Sequence, residues 1–278
     1  MTSKVFFMNH TKTAALLCSA AVLLSSCQKV VTIDLNQVNP HLVVEGIVSD
    51  GPGPYRVKLS RTGNYFEPSL DFPPVTGARI IIRDDLGHRD TLRENGDFYE
   101  TTSLAGAVGR TYSLDVVADG NEYTATSSIP KRVAIDSLYA MPRQTSRGEP
   151  GFDIWVMFRD PPEPGNYYRL NVRVNTLVSQ DSVDGRRYRI YSDKLTNGNE
   201  MTERVRAGRL VVSGDTVMVE LLSIDRAMYD YFNTLRDALS SERAATSLSP
   251  ANPNTNLSGG ALGYFAAWTI DRRTIILH

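Results

Sequence analysis

The sequence predicts a mainly β protein with two β-sandwich (Ig-like) domains, the second of which carries one amphipathic helix. Many short runs alternate apolar and polar residues, which is the period-two pattern of a half-buried strand. Turn-forming Gly, Pro, Asn and Asp residues separate these runs about every ten residues, as in a sandwich. Helical periodicity appears near 225–243. We therefore expect an N-terminal β-sandwich domain over 41–132 and a C-terminal β-rich domain over 133–278.

Residues 1–26 have the features of an export signal that is later removed. Lys4 and Lys12 supply positive charge, and Ala14–Leu24 is almost wholly apolar. As a helix this apolar run is about 16 Å long, whereas a transmembrane helix needs ~20 apolar residues. The run instead fits the roughly 7–15-residue apolar region of a signal peptide.

The residues just before Cys27 resemble the lipobox of bacterial lipoproteins, since Leu23 and Leu24 are followed by two serines and the cysteine. The resemblance implies that the Cys27 thiol takes a diacylglyceryl group and that cleavage precedes Cys27. Cys18 leaves with the signal, so the mature chain has no second cysteine for a disulfide or a cysteine-based zinc site. The alternative is an incidental cysteine beside an ordinary cleavage site.

Residues 27–40 are predicted to form the lipid anchor and a tether, which fits either a first strand or an apolar patch near the membrane. The N-terminal domain then begins with the apolar run Leu42–Val48. In Tyr55–Ser60, apolar residues alternate with polar ones, which favours another strand. Asp119 and Gly120 are a strong hairpin signal, because both positions of a two-residue turn favour positive φ.

The C-terminal domain is predicted to contain an antiparallel pair, Phe152–Phe158 and Tyr168–Val174, joined by a proline-rich turn. At its end we expect two strands, Tyr264–Ile270 and Thr274–Leu277.

The helix near 225–243 is predicted to pack one apolar face on a sheet, with Ser223 or Asp225 as its N-cap. That apolar face consists of Met228, Tyr231, Phe232, Leu235 and Leu239.

Composition and motifs argue against several classes of function. The chain has 30 basic and 31 acidic residues and a net charge of −1, whereas nucleic-acid binding would favour a basic excess. It has no Gly-x-Ser-x-Gly, His-Glu-x-x-His or phosphate-loop motif. We therefore predict no nucleic-acid partner, no cofactor, no metal and no enzymatic activity. Asp84, Asp85 and Asp90 offer oxygen ligands for Ca²⁺, but a solvated turn is the preferred interpretation.

Two segments are candidate binding sites. Tyr65 and Phe66 lie in a predicted loop, where aromatic side chains on a rigid sandwich suit ligand contact. The second segment, 252–263, is rich in Asn and Gly, which tolerate positive φ and can present backbone groups to a ligand. Its candidate binding residues are Asn252, Asn254, Asn256, Gly259 and Gly260. A self-packed Ω-type loop is the alternative that we favour for this segment.

Motifs spread over nearly the whole mature chain resemble the DUF4249 family of Bacteroidota cell-envelope lipoproteins. They include Asp34-Leu35-Asn36, Leu42-Val43-Val44-Glu45-Gly46, Gly53–Ser60, Gly109–Leu114, Asn252–Gly260 and Gly263-Tyr264-Phe265. The resemblance implies a lipid-anchored outer-membrane protein, often encoded beside TonB-dependent receptors. It supplies no catalytic residues to carry over.

The combined expectation is a non-enzymatic accessory or binding protein linked to a TonB-dependent receptor. Its expected partners are membrane lipid, through acylated Cys27, and that receptor. The protein is expected on either face of the outer membrane, and the periplasmic face is favoured. The alternatives are a structural or adhesive Ig-like envelope module and, third, a carboxylate-dependent hydrolase.

Overall fold

The computed structural model describes residues 40–63, 72–175, 177–178, 189–205, 207–241 and 252–278. These residues belong to one compact unit, Asn39–His278. Within the described ranges, no helix is both long and apolar enough to cross a membrane. The strands are β1 (Leu42–Ser49), β2 (Arg56–Arg61), β3 (Arg79–Asp84), β4 (Arg89–Thr91), β5 (Arg93–Asn95), β6 (Phe98–Glu100), β7 (Thr111–Ala118), β8 (Asn121–Ser128), β9 (Ile135–Gln144), β10 (Pro150–Arg159), β11 (Tyr167–Val174), β12 (Leu177–Val178), β13 (Arg189–Ser192), β14 (Glu200–Val205), β15 (Thr216–Ile224) and β16 (Leu262–Ile276). A 3-10 helix spans Asp193–Leu195, and the helix α1 spans Arg226–Ser241.

The first β-sandwich packs two sheets around one apolar core. One sheet has the order β16-β1-β2-β6-β5 in this region, and the other has the order β4-β3-β7-β8. Val57 and Leu59 of β2 share a buried cluster with Ile80 of β3 and Leu114 of β7. The predicted hairpin between β7 and β8 is confirmed, since Asp119 and Gly120 have φ values of 50° and 77°.

The second β-sandwich packs the sheet β14-β10-β9 against β12-β11-β15-β16, with β13 also paired to β11. The predicted antiparallel pair of Phe152–Phe158 with Tyr168–Val174 is wrong, because β10 pairs with β9 and β14 whereas β11 pairs with β12, β13 and β15. Val156 of β10 shares the core with Leu170 of β11 and Val219 of β15. The connection between β10 and β11 therefore crosses from one sheet to the other.

Strand β16 runs through both sandwiches, which the sequence did not predict. Its first half pairs in parallel with β1, and its second half pairs antiparallel with β15. Phe265 and Ala267 complete the first core, while Leu277, just after the strand, joins the second. The first core therefore draws on residues outside the predicted 41–132 domain, so the cores do not follow a division at residue 132.

The expectation of two separate strands at the end of the chain is wrong, because β16 is continuous through Asp271, Arg272 and Arg273. These charged residues interrupt the apolar pattern, but each has a partner. Arg272 pairs with Glu220 of β15 at 2.6 Å. Asp271 accepts the N–H of Ile135 at 2.8 Å, and Arg273 donates to the Ile135 carbonyl.

Helix α1 covers the outer face of the continuous sheet, as its apolar periodicity predicted. Met228 and Phe232 are buried with Ala266 and Trp268 of β16. The N-cap is Asp225, whose Oδ1 accepts the Met228 N–H at 2.9 Å. The other carboxylate oxygen of Asp225 accepts hydrogen bonds from Ser127 and Ser128, so the cap also ties α1 to the end of β8.

Candidate functional site

Three of the predicted site residues lie outside the described residues. They are Cys27, Tyr65 and Phe66, so lipidation at Cys27 and binding through the aromatic pair stay predictions.

Residues 252–261, called the strap below, lie across the edge of β8. Asn256 is its main attachment point. The Asn256 amide donates to the Thr126 carbonyl at 2.9 Å and to the Phe265 carbonyl at 2.7 Å, and its oxygen accepts the Phe265 N–H at 3.1 Å. Ser258 extends the attachment, because its N–H donates to the Thr124 carbonyl. These bonds occupy the Asn256 side chain within the fold.

The other predicted strap residues also serve the packing of the segment. Gly259 has φ of +70°, and a Cβ there would lie 2.7 Å from the Glu122 carbonyl oxygen. The Gly260 carbonyl lies 3.2 Å from His41 Nδ1. The Asn254 N–H donates to Thr234 on α1, and the side chains of Asn252 and Asn254 are exposed. This arrangement favours the self-packed alternative over a ligand site.

The acidic turn between β3 and β4 is held by protein donors. Asp84 accepts the N–H groups of Leu86 and His88, and its other oxygen lies 2.8 Å from His88 Nδ1. Burial alone would raise the pKa of Asp84, but these donors and the nearby Arg110 guanidinium outweigh it and hold the pKa below its usual value. Asp85 pairs with Arg110. These contacts fit the preferred interpretation of a turn.

Asp90 lies apart from that turn in a buried site of its own. Its carboxylate accepts the N–H groups of Thr102, Ser103 and Leu104 at 2.6 to 2.9 Å. Burial would raise the pKa of Asp90, but the three backbone donors outweigh it and lower the pKa. Across the described ranges, no group of His, Cys, Asp and Glu is arranged to hold a metal ion.

The first sandwich has a cavity of about 450 Å³ beside the acidic turn. His88 and Arg89 line one side, and Ser103 and Leu104 line another. Tyr112 is fully buried at its wall, where its hydroxyl accepts the Ala107 N–H at 2.8 Å. Two of the charged groups that line the cavity, Asp84 and Arg110, pair with each other at 3.1 Å.

A larger cavity, called the tip cavity below, lies at the far end of the second sandwich and measures about 830 Å³. Apolar groups supply much of its wall, and a cation, an amide, a hydroxyl and an imidazole surround them. The residues that line it are Pro142, Arg143, Gln144, Pro150, Gly151, Phe152, Val212, Ser213 and His278. An apolar wall with a few polar groups is typical of small-molecule sites. The tip cavity is therefore the candidate functional site.

Two features build the wall of the tip cavity. Gly151 lets the 208–213 segment approach β10, since a Cβ there would lie 2.4 Å from Leu210 Cδ1 and 2.8 Å from the Val211 carbonyl oxygen. Asp215 then fixes the segment by accepting the Val212 N–H at 2.9 Å and two bonds from Arg209. The Arg209 guanidinium is the main cause that holds the pKa of Asp215 far below its usual value.

Sequence reasoning did not single out the tip cavity. Its residues come from four separate runs of the chain, 142–144, 150–152, 212–213 and 278, which the fold brings together. The one available signal was Gly151, directly before the predicted strand Phe152–Phe158, because a glycine in a strand often marks a close approach of another backbone.

Comparisons with known proteins define the family of the chain. No curated protein matches it. Among solved structures, the chain is similar to a segment of two fibronectin type III domains from chicken tenascin, with 13% identity over 67% of this chain and 92% of that chain, and a TM-score of 0.21. The profile of the domain of unknown function DUF4249 matches residues 28–274. Since this match covers nearly the whole chain, the protein belongs to the DUF4249 family.

Proposed function

We propose that this protein is a lipid-anchored, non-enzymatic binding or accessory protein of the outer membrane that serves a TonB-dependent receptor. The observation that carries the proposal is the position of the lipobox. Cys27 directly precedes residue 28, where the family match begins. A cleavage before Cys27 would therefore leave an acylated residue followed at once by the family domain. Two or more acyl chains give stable anchoring, since each buried CH₂ contributes about 0.8 kcal/mol.

The geometry of the described residues supports binding over catalysis. Three of the acidic residues, Asp84, Asp85 and Asp90, are engaged by backbone and arginine donors. The tip cavity combines the apolar ring of Phe152 with Arg143, which suits reversible binding of a small ligand.

Mass spectrometry of the protein from its native membrane tests this proposal. We expect the N-terminal peptide to begin at Cys27 and to carry acyl chains, and a TonB-dependent receptor to co-purify in mild detergent. The control is Cys27→Ser, which keeps the size of the side chain but removes the thiol. That variant should lose both the acyl mass and the co-purified receptor. A native N-terminus elsewhere, or an unmodified Cys27 in the soluble fraction, would contradict the proposal.

A further inference from the structure

The start of β1 defines one end of the folded unit, where the tether joins it. His41 donates its N–H to Thr62 Oγ1 at 3.0 Å, and the Thr62 N–H donates to the His41 carbonyl at 3.0 Å. Arg61 donates to the Pro40 carbonyl at 3.3 Å. Together with the His41–Gly260 contact described above, these bonds place Pro40 beside the end of β2 and the strap. This region is called the anchored end below.

Phe72 lies at the anchored end and is exposed. Pro74 forms an antiparallel bridge with Ser60, and the Val75 N–H donates to the Leu59 carbonyl at 2.9 Å. Because the two segments are antiparallel, Phe72 lies level with Thr62. The Phe72 residue is 47% exposed, and it is the only aromatic among the large exposed apolar residues of the described ranges.

The tip cavity lies at the opposite end of the same unit. Strand β16 starts beside Val43 and runs parallel to β1. Its last residue, Ile276, lies two residues before His278, which lines the tip cavity. Fifteen strand residues cover about 46 Å at ~3.3 Å each. The exposed Val212 and Ile276 therefore lie far from the point where the tether begins.

The length of the tether decides which end meets the membrane. Between Cys27 and Pro40 the chain spans at most about 45 Å when fully extended. The tip cavity, about 46 Å from the start of β1, could meet the bilayer only at the limit of this length, whereas the anchored end is joined directly to the chain that leads to Cys27.

We propose that the anchored end faces the bilayer and that the Phe72 ring enters the lipid interface, with the tip cavity held away from the membrane. This inference rests on the proposed acylation of Cys27. Burial of an aromatic ring away from water favours its insertion into the lipid interface. Arg61 at this end is paired with Asp119, so the contact depends on apolar burial and the tether and not on charge attraction.

The test uses a fluorescent label on the acylated full-length mature protein in phosphatidylcholine vesicles. Cys27 carries lipid and Cys18 is removed with the signal, so an introduced thiol is the only free one. Phe72→Cys and Ser213→Cys, at the tip, are each labelled with an environment-sensitive dye. Pro40→Cys gives a second label at the anchored end. The vesicles are made with and without bromine on the acyl chains.

We expect the label at position 72 to shift to shorter wavelength and to be quenched by the brominated lipid. The label at 40 should be quenched less, and the label at 213 should not change. Equal quenching at 72 and 213, quenching at 213 alone, or no quenching at 72 in protein with confirmed acyl chains would overturn the orientation and leave the anchor intact. A bare Cys27 in the mass spectrum would overturn the proposed function as well.

Discussion

The strap makes a sharp prediction, because one amide side chain holds it to two strands. In Asn256→Ala the three hydrogen bonds to Thr126 and Phe265 are lost. Each neutral hydrogen bond contributes about 0.5 to 1.5 kcal/mol net. The bond to Thr126 is exposed and the two to Phe265 are partly buried, so we expect a loss of about 2 to 4 kcal/mol in the free energy of unfolding.

Two further variants separate the hydrogen bonds from the change in volume. Asn254→Ala removes the same side chain from an exposed position whose recorded bond uses the backbone N–H, so it should cost less than about 0.5 kcal/mol. Asn256→Asp keeps the shape but places a carboxylate oxygen against the Thr126 and Phe265 carbonyls. It should be at least as destabilising as Asn256→Ala at pH 7, and part of the loss should return at acid pH, where the introduced acid can donate.

The assay is equilibrium unfolding in urea of the mature chain carrying Cys27→Ser, followed by circular dichroism. An unchanged dependence on denaturant, with a shifted midpoint, would report a change in stability alone. The prediction is contradicted if Asn256→Ala lowers the free energy of unfolding by no more than Asn254→Ala does, or if Asn256→Asp leaves it unchanged at pH 7. Either result would mean that the strap is not held through this amide.

Three further predictions follow from other contacts. Gly263→Ala would place a Cβ 2.1 Å from the Val44 carbonyl oxygen at φ of +90°, so it should lower the free energy of unfolding by at least about 3 kcal/mol. The control Gly260→Ala, at positive φ but in open space, should lower it by about 1 kcal/mol. Asp215→Asn should cost about 2 to 3 kcal/mol at pH 7. The pKa of Asp215 is lower in the folded protein than in the unfolded chain, so its stabilising effect is complete above about pH 4 and is lost as the pH falls further. The difference in free energy of unfolding between Asp215→Asn and wild type should therefore shrink at pH 3. A fragment limited to 41–132 lacks the β16 residues of its core and should be unfolded by circular dichroism.

The measurements that would contradict these predictions are direct. If Gly263→Ala and Gly260→Ala lose equal free energy of unfolding, the close approach of β1 to β16 is not the cause of the loss. If the free energies of unfolding of Asp215→Asn and wild type differ by the same amount from pH 7 to pH 3, the charge of the Asp215 carboxylate contributes nothing to stability. A cooperative unfolding transition in the 41–132 fragment would show that its core is complete without β16.

Local patterns in the sequence predicted most strands, the turn at Asp119 and Gly120, and the helix, whose cap Asp225 was one of two candidates. Each of these depends on neighbours within a few residues, which a single sequence displays. Two glycines also have a structural reason. A Cβ at Gly46 would lie 3.0 Å from the Phe265 ring, and Gly77 has φ of +71°.

Pairing between distant segments could not be predicted in the same way. The parallel contact of β1 with β16 joins residues more than 200 positions apart, and no local period records it. The charges at 271–273 also concealed the continuity of β16, because their partners, such as Glu220, lie on other strands. The tip cavity was missed for the same reason, since its walls come from separate segments.

Strand β16 explains why the two sandwiches should act as one rigid body. Its backbone hydrogen bonds tie β1 at the anchored end to β15 near the tip cavity without an intervening linker. Asp50 reinforces the junction, since it accepts the Ile270 N–H at 3.1 Å and pairs with Arg132. Bending between the sandwiches would break these bonds together, and flexible linkers are what normally permit domain motion. A ligand in the tip cavity would therefore be held at a fixed distance from the start of β1.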